Sequence, residues 1–168
     1  MIVRAAGLED LPALVELYNH YVLHTAATFD VEPYTVETRR PWFEQFAATG
    51  RYRLLVAVEA DRLLGYAGTM RYRPKKAYET SVECTCYVQS GLQGRGIGRA
   101  LYEGLFRAIA SEDVHRALAG MTLPNPGSLA LHQRFGFREV GRFSEQGRKH
   151  GRYWDVLWLE KPLPAAAP

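Results

Sequence analysis

Residues 82–101 constrain this chain more than any other stretch. Val82-Glu83-Cys84-Thr85-Cys86-Tyr87-Val88 reads as a β-strand, and Gln93-Gly94-Arg95-Gly96-Ile97-Gly98-Arg99-Ala100-Leu101 reads as a glycine-rich turn opening straight into an amphipathic helix. The first N–H groups of a helix lack intrahelical partners, and glycine has no Cβ to hold a ligand away, so such a junction forms a cradle for pyrophosphate. Two familiar phosphate loops do not fit. A dinucleotide loop counted from Gly94 meets Arg99 at its third glycine, and counted from Gly96 it meets Leu101. A P-loop needs Gly-Lys-Ser/Thr after its spacer, which is missing here. The bland alternative is a turn whose glycines serve backbone geometry alone. Against it stand the preceding strand, the helix that follows, and Gln93 and Arg95 among the glycines.

The 168 residues suffice for one domain with a substantial core, assigned to 1–161, with 162–168 read as a disordered tail. A net charge of +3 is spread among acids, with only short pairs such as Arg39-Arg40 and Lys75-Lys76, so no nucleic-acid partner is expected. No apolar run approaches the roughly 18 residues of a membrane span and no secretory signal opens the chain, so a cytoplasmic protein with no membrane association is expected. Cys84 and Cys86 lie two apart on one strand and face the same side, which suggests buried small residues rather than a disulfide; the sharper alternative is a nucleophilic or redox thiol. His20 and His24 have i, i+4 spacing but no third ligand, so no metal is expected.

The remaining elements follow from periodicity. Ile2–Ala5 reads as a strand, and Asp10-Leu11-Pro12 starts a helix whose apolar face is Leu11, Leu14, Val15, Tyr18, Tyr21 and Val22. Tyr18 to Phe29 is rich enough in aromatic and polar side chains to line a pocket. A second helix is expected from Val36 to about Ala48, divided by Pro41 and stopped at Gly50. Strands at 52–59, 63–72 and 80–88 have no helices between them and imply an antiparallel meander. Leu101, Leu105, Phe106 and Ile109 give the next helix its apolar side. A strand at 118–123, a helix at 128–135, a strand at 137–143, a loop or hairpin tip at 144–151 and a strand at 153–160 complete an α/β (α+β) fold. Its strands number about seven.

The pattern Gln-x-x-Gly-x-Gly between strand and helix resembles the acetyl-CoA loop of the GNAT family of N-acetyltransferases, and Gln93, Gly96 and Gly98 fill its fixed positions. Asn125-Pro126-Gly127-Ser128 with Gly136-Phe137 resembles the segment after the fifth strand in that family. Several further pieces resemble its phosphinothricin and methionine-sulfone (methionine sulfoximine) acetyltransferases: Tyr18 to Val22, Thr25 to Phe29, Trp42-Phe43, Val82-Glu83 with Tyr87-Val88, Leu131-His132 and Lys149 to Val156. The resemblance spans nearly the whole chain. It implies the GNAT fold, a mixed, mainly antiparallel central sheet of about seven strands flanked by helices, with acetyl-CoA as co-substrate, a small-molecule amine as acceptor and a homodimer.

Acetyl transfer to an amine needs a held donor, an unprotonated amine, a stabilised oxyanion and a proton for the leaving thiolate. By the resemblance, the loop amides of Gly94, Arg95, Gly96, Ile97, Gly98 and Arg99 hold the pyrophosphate. The main chain at Cys86, Tyr87 and Val88 pairs with the pantetheine arm on a strand that splays from its neighbour. Asn125 bonds that arm, and Arg134 reaches the phosphates. Glu83 matches the family's base, needed because an amine of pKa near ~10 is mostly protonated at neutral pH; read alone it is an ordinary strand glutamate. His132 stands where many members have a tyrosine that protonates the thiolate. The acceptor is assigned to the loop Arg73, Pro74, Lys75 and Lys76 with Glu83, Cys84 and Thr85, the guanidinium of Arg73 suiting an anionic or sulfonyl oxygen. Arg71, Tyr72, Cys84 and Cys86 depart from the resembled enzymes. The expected activity is acetylation of the α-amine of phosphinothricin, methionine sulfone or sulfoximine by direct attack. Alternatives are another amine (a protein terminus, polyamine or antibiotic), a non-catalytic acetyl-CoA binder, or a redox protein using its two thiols.

Overall fold

In β2 (Leu54–Glu59) the first four side chains are all buried, a pattern a strand shows when both faces of its sheet are covered. The computed structural model, which describes residues 1–164, shows the two covers. Leu54 and Val56 meet Leu14, Leu17 and Tyr18 of α1 (Leu11–His24), with α2 (Val36–Phe43) beside them. Leu55 and Ala57, one residue out of phase, meet Leu101 and Leu105 of α3 (Ile97–Ala108). Strand alternation therefore divides one sequence run between two apolar layers.

Seven strands lie in the order β1 (Ile2–Ala5), β2, β3 (Arg62–Arg71), β4 (Ser81–Val88), β5 (Arg116–Thr122), β7 (Arg152–Pro162) and β6 (Arg138–Lys149). Only β4 and β5 run parallel, because α3 crosses between them while the other neighbours are antiparallel. This is the mixed, mainly antiparallel sheet flanked by helices that the resemblance implied. The fourth helix, α4 (Pro126–Arg134), starts at Asn125, whose Oδ1 accepts the Ser128 N–H at 3.1 Å.

Three boundaries differ from the sequence expectation. The run 144–151 is strand rather than loop: β6 continues to Lys149, and only His150 and Gly151, with φ of 51° and 76°, make the turn into β7. An edge strand exposed on both faces has no apolar alternation to read, and β6 accommodates an irregularity between Phe143 and Gly147 where Glu145 takes φ 52° and its N–H donates to Asp155 Oδ1 at 2.8 Å. The second helix ends at Phe43 instead of near Ala48, two residues past Pro41. Pro162 and Leu163, expected in the tail, are held: Pro162 still pairs in β7, and the Leu163 N–H donates to the His115 carbonyl at 3.0 Å. The rest of the expected tail, residues 165–168, lies outside the described residues.

Candidate active site

β4 and β5 pair over three residues only, Ser81, Val82 and Glu83 with Arg116, Ala117 and Leu118. Beyond Glu83, β4 stays with β3 through Val88 and β5 stays with β7 through Thr122, so the two strands part. The gap leaves main-chain groups of β4 without a strand partner on that side, which is costly unless water or a ligand satisfies them. Two cavities meet there, of about 440 Å³ on the α3–α4 side and about 510 Å³ on the α1–α2 side. Cys84, Thr85 and Tyr87 of β4, and Gly120 and Met121 of β5, wall both.

The smaller cavity brings together most of the residues expected to hold the donor: Cys86, Tyr87, Val88, Gly94, Gly96, Ile97, Gly98, Arg99, Asn125 and Arg134. Gly94 and Gly96 both take φ 79°, and nothing lies within 4 Å of where a Cβ would stand on either. The turn is thus left-handed and open, a conformation that favours glycine and lets a ligand approach the backbone. Gly98 has another purpose, because a Cβ there would meet Leu131 Cδ2 at 3.2 Å and Cys86 Sγ at 3.6 Å; it lets α3 pack against β4 and α4. Ile97 is buried and pins the loop to the core. Arg95 is exposed and does not line the cavity, while Arg99 Nε donates to Glu103 Oε1 at 2.7 Å on the helix surface. An open glycine cradle, an unpaired strand edge and a helix N-terminus in one cavity fit a thioester carried on a pyrophosphate. Tyr21, within the stretch expected from sequence to line a pocket, also lines it; its hydroxyl donates to the Val88 carbonyl at 2.5 Å across 67 residues of chain.

Glu83 lies on the other face, in the larger cavity, at the last paired position of β4. Burial raises its carboxyl above the usual range, partly opposed by the positive field of Arg73, and no hydrogen bond among the described residues engages it. Thr85, Tyr87 and Cys84 share the cavity, whereas Pro74, Lys75 and Lys76 of the expected acceptor loop are exposed and do not reach it. Arg73 stacks on Tyr72 at 5.0 Å and acts on Glu83 through its field rather than by contact. A loop's charge pattern could not reveal which way the loop folds. Both cysteine thiols face the α3 side, as strand alternation requires; burial pushes Cys86 up to about 12 and Cys84 further. So little thiolate at neutral pH argues against a nucleophilic or redox role.

His132 is buried and fully engaged. Its Nδ1–H donates to the Ser128 carbonyl at 2.8 Å, which leaves Nε2 to accept the Tyr102 hydroxyl at 2.8 Å. Burial lowers its pKa, which favours the neutral ring. It lines the smaller cavity together with Asn125 and Arg134.

Ala27, Thr28 and Phe29 also line the larger cavity, and their segment is held by three distant bonds. Thr122 Oγ1 donates to the Ala26 carbonyl at 2.5 Å, Lys149 Nζ to Thr28 at 2.8 Å, and His150 Nε2 to Thr25 at 3.2 Å. Sequence pattern alone offered no sign of these contacts, which span about a hundred residues or more of chain. Among the described residues no helix is long and apolar enough to cross a membrane.

A parted sheet with an open glycine cradle on one face and an unpaired carboxylate on the other fits an acyl-transfer site. The family model of the acetyltransferase (GNAT) domain matches residues 3–158, and the chain belongs to that family, as an N-acetyltransferase. It is 56% identical to a phosphinothricin N-acetyltransferase of Streptomyces coelicolor, over 96% of this chain and 95% of that one. Identity is 33% to an L-methionine sulfoximine/L-methionine sulfone acetyltransferase of Pseudomonas aeruginosa, over 96% and 94% of the two chains. Among solved structures, a GNAT superfamily phosphinothricin acetyltransferase from Sinorhizobium meliloti in complex with acetyl-CoA superposes with a TM-score of 0.90 at 31% identity, covering 96% of this chain and 88% of that one.

Proposed function

We propose that this enzyme transfers acetyl from acetyl-CoA to the α-amine of a small amino-acid analogue, phosphinothricin or methionine sulfone and sulfoximine, by direct attack. The observation that carries the reading is Glu83, an unpaired carboxylate of raised pKa at the point where the strands part. The names of the Streptomyces and Pseudomonas relatives support the substrate class.

Acetyl-CoA, when bound, supplies the activated acetyl group. The turn from Gly94 to Arg99 offers backbone N–H groups to its phosphates, and the free edge of β4 offers main-chain groups to its arm. Glu83 takes the proton from the incoming ammonium, for which a raised pKa is an advantage: a base nearer neutrality matches the amine more closely. A β4 amide in the gap faces the developing oxyanion. The departing thiolate, of pKa near ~8.5, needs little acid help, so a neutral His132 serves to hold Ser128 and Tyr102 in position rather than to give up a proton.

Thiol release from acetyl-CoA, followed with a chromogenic disulfide, tests this across phosphinothricin, methionine sulfone, methionine sulfoximine, the common amino acids, polyamines and an aminoglycoside. Rapid release with the phosphinate and sulfone compounds is expected. Release only with polyamines or the aminoglycoside would discard the acceptor class while keeping the reaction.

A further inference from the structure

α2 delivers a side chain that this chemistry leaves unused. Arg39 is only 8% exposed, yet its guanidinium forms no ion pair among the described residues and its buried Nε has no hydrogen-bond partner. It sits over three aromatic rings, with centroid distances of 4.0 Å to Tyr18, 4.2 Å to Trp42 and 4.6 Å to Tyr34. Asp30, the acid that shares those tyrosines, accepts the Tyr18 hydroxyl at 2.6 Å and the Tyr34 hydroxyl at 3.1 Å, so phenols rather than Arg39 satisfy it. Cation–π contacts offset part of the cost of taking a guanidinium out of water, but they do not satisfy its N–H donors.

Arg39 and Glu83 line the same cavity. An α-amino acid arrives as a zwitterion, and a cavity offering Glu83 to its ammonium repels its carboxylate unless a cation stands elsewhere in the wall. Arg73 is a poor candidate for that duty, because it lies on an exposed loop that does not line the cavity. A planar fork of donors matches a carboxylate, a phosphinate or a sulfonyl group with two parallel hydrogen bonds. We propose that Arg39 is the oxyanion receptor of the acceptor cavity, an aromatic-braced guanidinium that pairs with an acidic or sulfonyl oxygen of the amino-acid substrate. The assignment rests on the reading of this cavity as the acceptor site, and it makes Arg39 a determinant of specificity for amino acids over simple amines.

The test compares wild type with Arg39→Met, which keeps the stem against the rings, and Arg39→Lys, which keeps the charge without the fork. Four acceptors are used: methionine sulfone, methionine, and the α-carboxamide of each. Binding is also followed without acetyl-CoA through tryptophan fluorescence, since Trp42 lies against the guanidinium. If Arg39 takes the carboxylate, Arg39→Met raises KM and the dissociation constant by about ten- to a hundredfold for both free acids and leaves the carboxamides unchanged. If it takes the side-chain oxygens, both sulfones suffer and both thioethers are spared. Either pattern, with Arg39→Lys intermediate and melting temperatures near wild type, supports the receptor. No change, or equal loss across all four compounds, overturns it. A wild type that neither binds nor acetylates any of the four refutes the acceptor reading itself, which is a separate result.

Discussion

Glu83 and His132 carry opposite pH signatures because burial acts on groups of opposite charge type. Burial raises Glu83, so the folded chain holds that proton more tightly than the unfolded chain and stability is lost as pH rises from about 4.3 through the raised value. Glu83→Gln removes this loss, and its melting temperature relative to wild type is expected to climb between pH 4 and pH 8. Its kcat should fall about a hundredfold or more, with residual rate rising steadily with pH and acetyl-CoA affinity unchanged. A wild-type rate across that range would remove Glu83 from the reaction. Burial lowers His132, so the unfolded chain takes up its proton first and stability is lost as pH falls below about 6.5 towards the lowered value. Scanning calorimetry of His132→Gln between pH 5 and pH 7 should therefore give a flatter profile than wild type, whatever constant offset the lost hydrogen bonds add. The positions of both residues were legible from motif matching, but their states were not. Nothing in the run Leu131-His132-Gln133 announces that Tyr102, thirty positions earlier, occupies one ring nitrogen.

Contacts between elements set the shape of the gap. Thr122→Val leaves the Ala26 carbonyl without its donor and should cost about 1–3 kcal/mol, while loosening the segment that walls the acceptor cavity. Denaturant unfolding would read the first effect and a raised acceptor KM the second. The glycines of the loop separate by role in the same way. Gly96→Ala forces a side chain into φ 79° where space is open, so it should weaken acetyl-CoA binding more than it destabilises the fold. Gly98→Val presses on Leu131 and Cys86 and should cost about 1–3 kcal/mol of stability. Urea midpoints and acetyl-CoA titrations of the two variants should rank them in opposite orders. The sequence distinguished these glycines as a group and not individually, because spacing does not report what a missing Cβ would touch. It also read β6 only as far as Phe143, because beyond it both faces are exposed and alternation has nothing to follow.

At the scale of the whole molecule, a ligand that bridges the α3 loop and the free edge of β4 links parts of the sheet that the structure leaves apart. Acetyl-CoA at a hundred times its dissociation constant should stabilise the fold by about 2.7 kcal/mol and raise the melting temperature by several degrees. An unchanged midpoint at saturating ligand would contradict binding in this cavity. The sequence by itself determined the strand–glycine–helix junction and most of the elements, because periodicity and turn chemistry are local properties that survive without knowing what packs where, and its motifs resembled those of the family. Only the tertiary structure decided that Lys75 and Lys76 are exposed and do not line Glu83's cavity, that His132 is buried against Tyr102, and that Arg39 lines Glu83's cavity with its Nε unpartnered among the described residues. Each of those depends on residues far apart in the chain, and the direction and burial of a side chain are settled by the company it keeps.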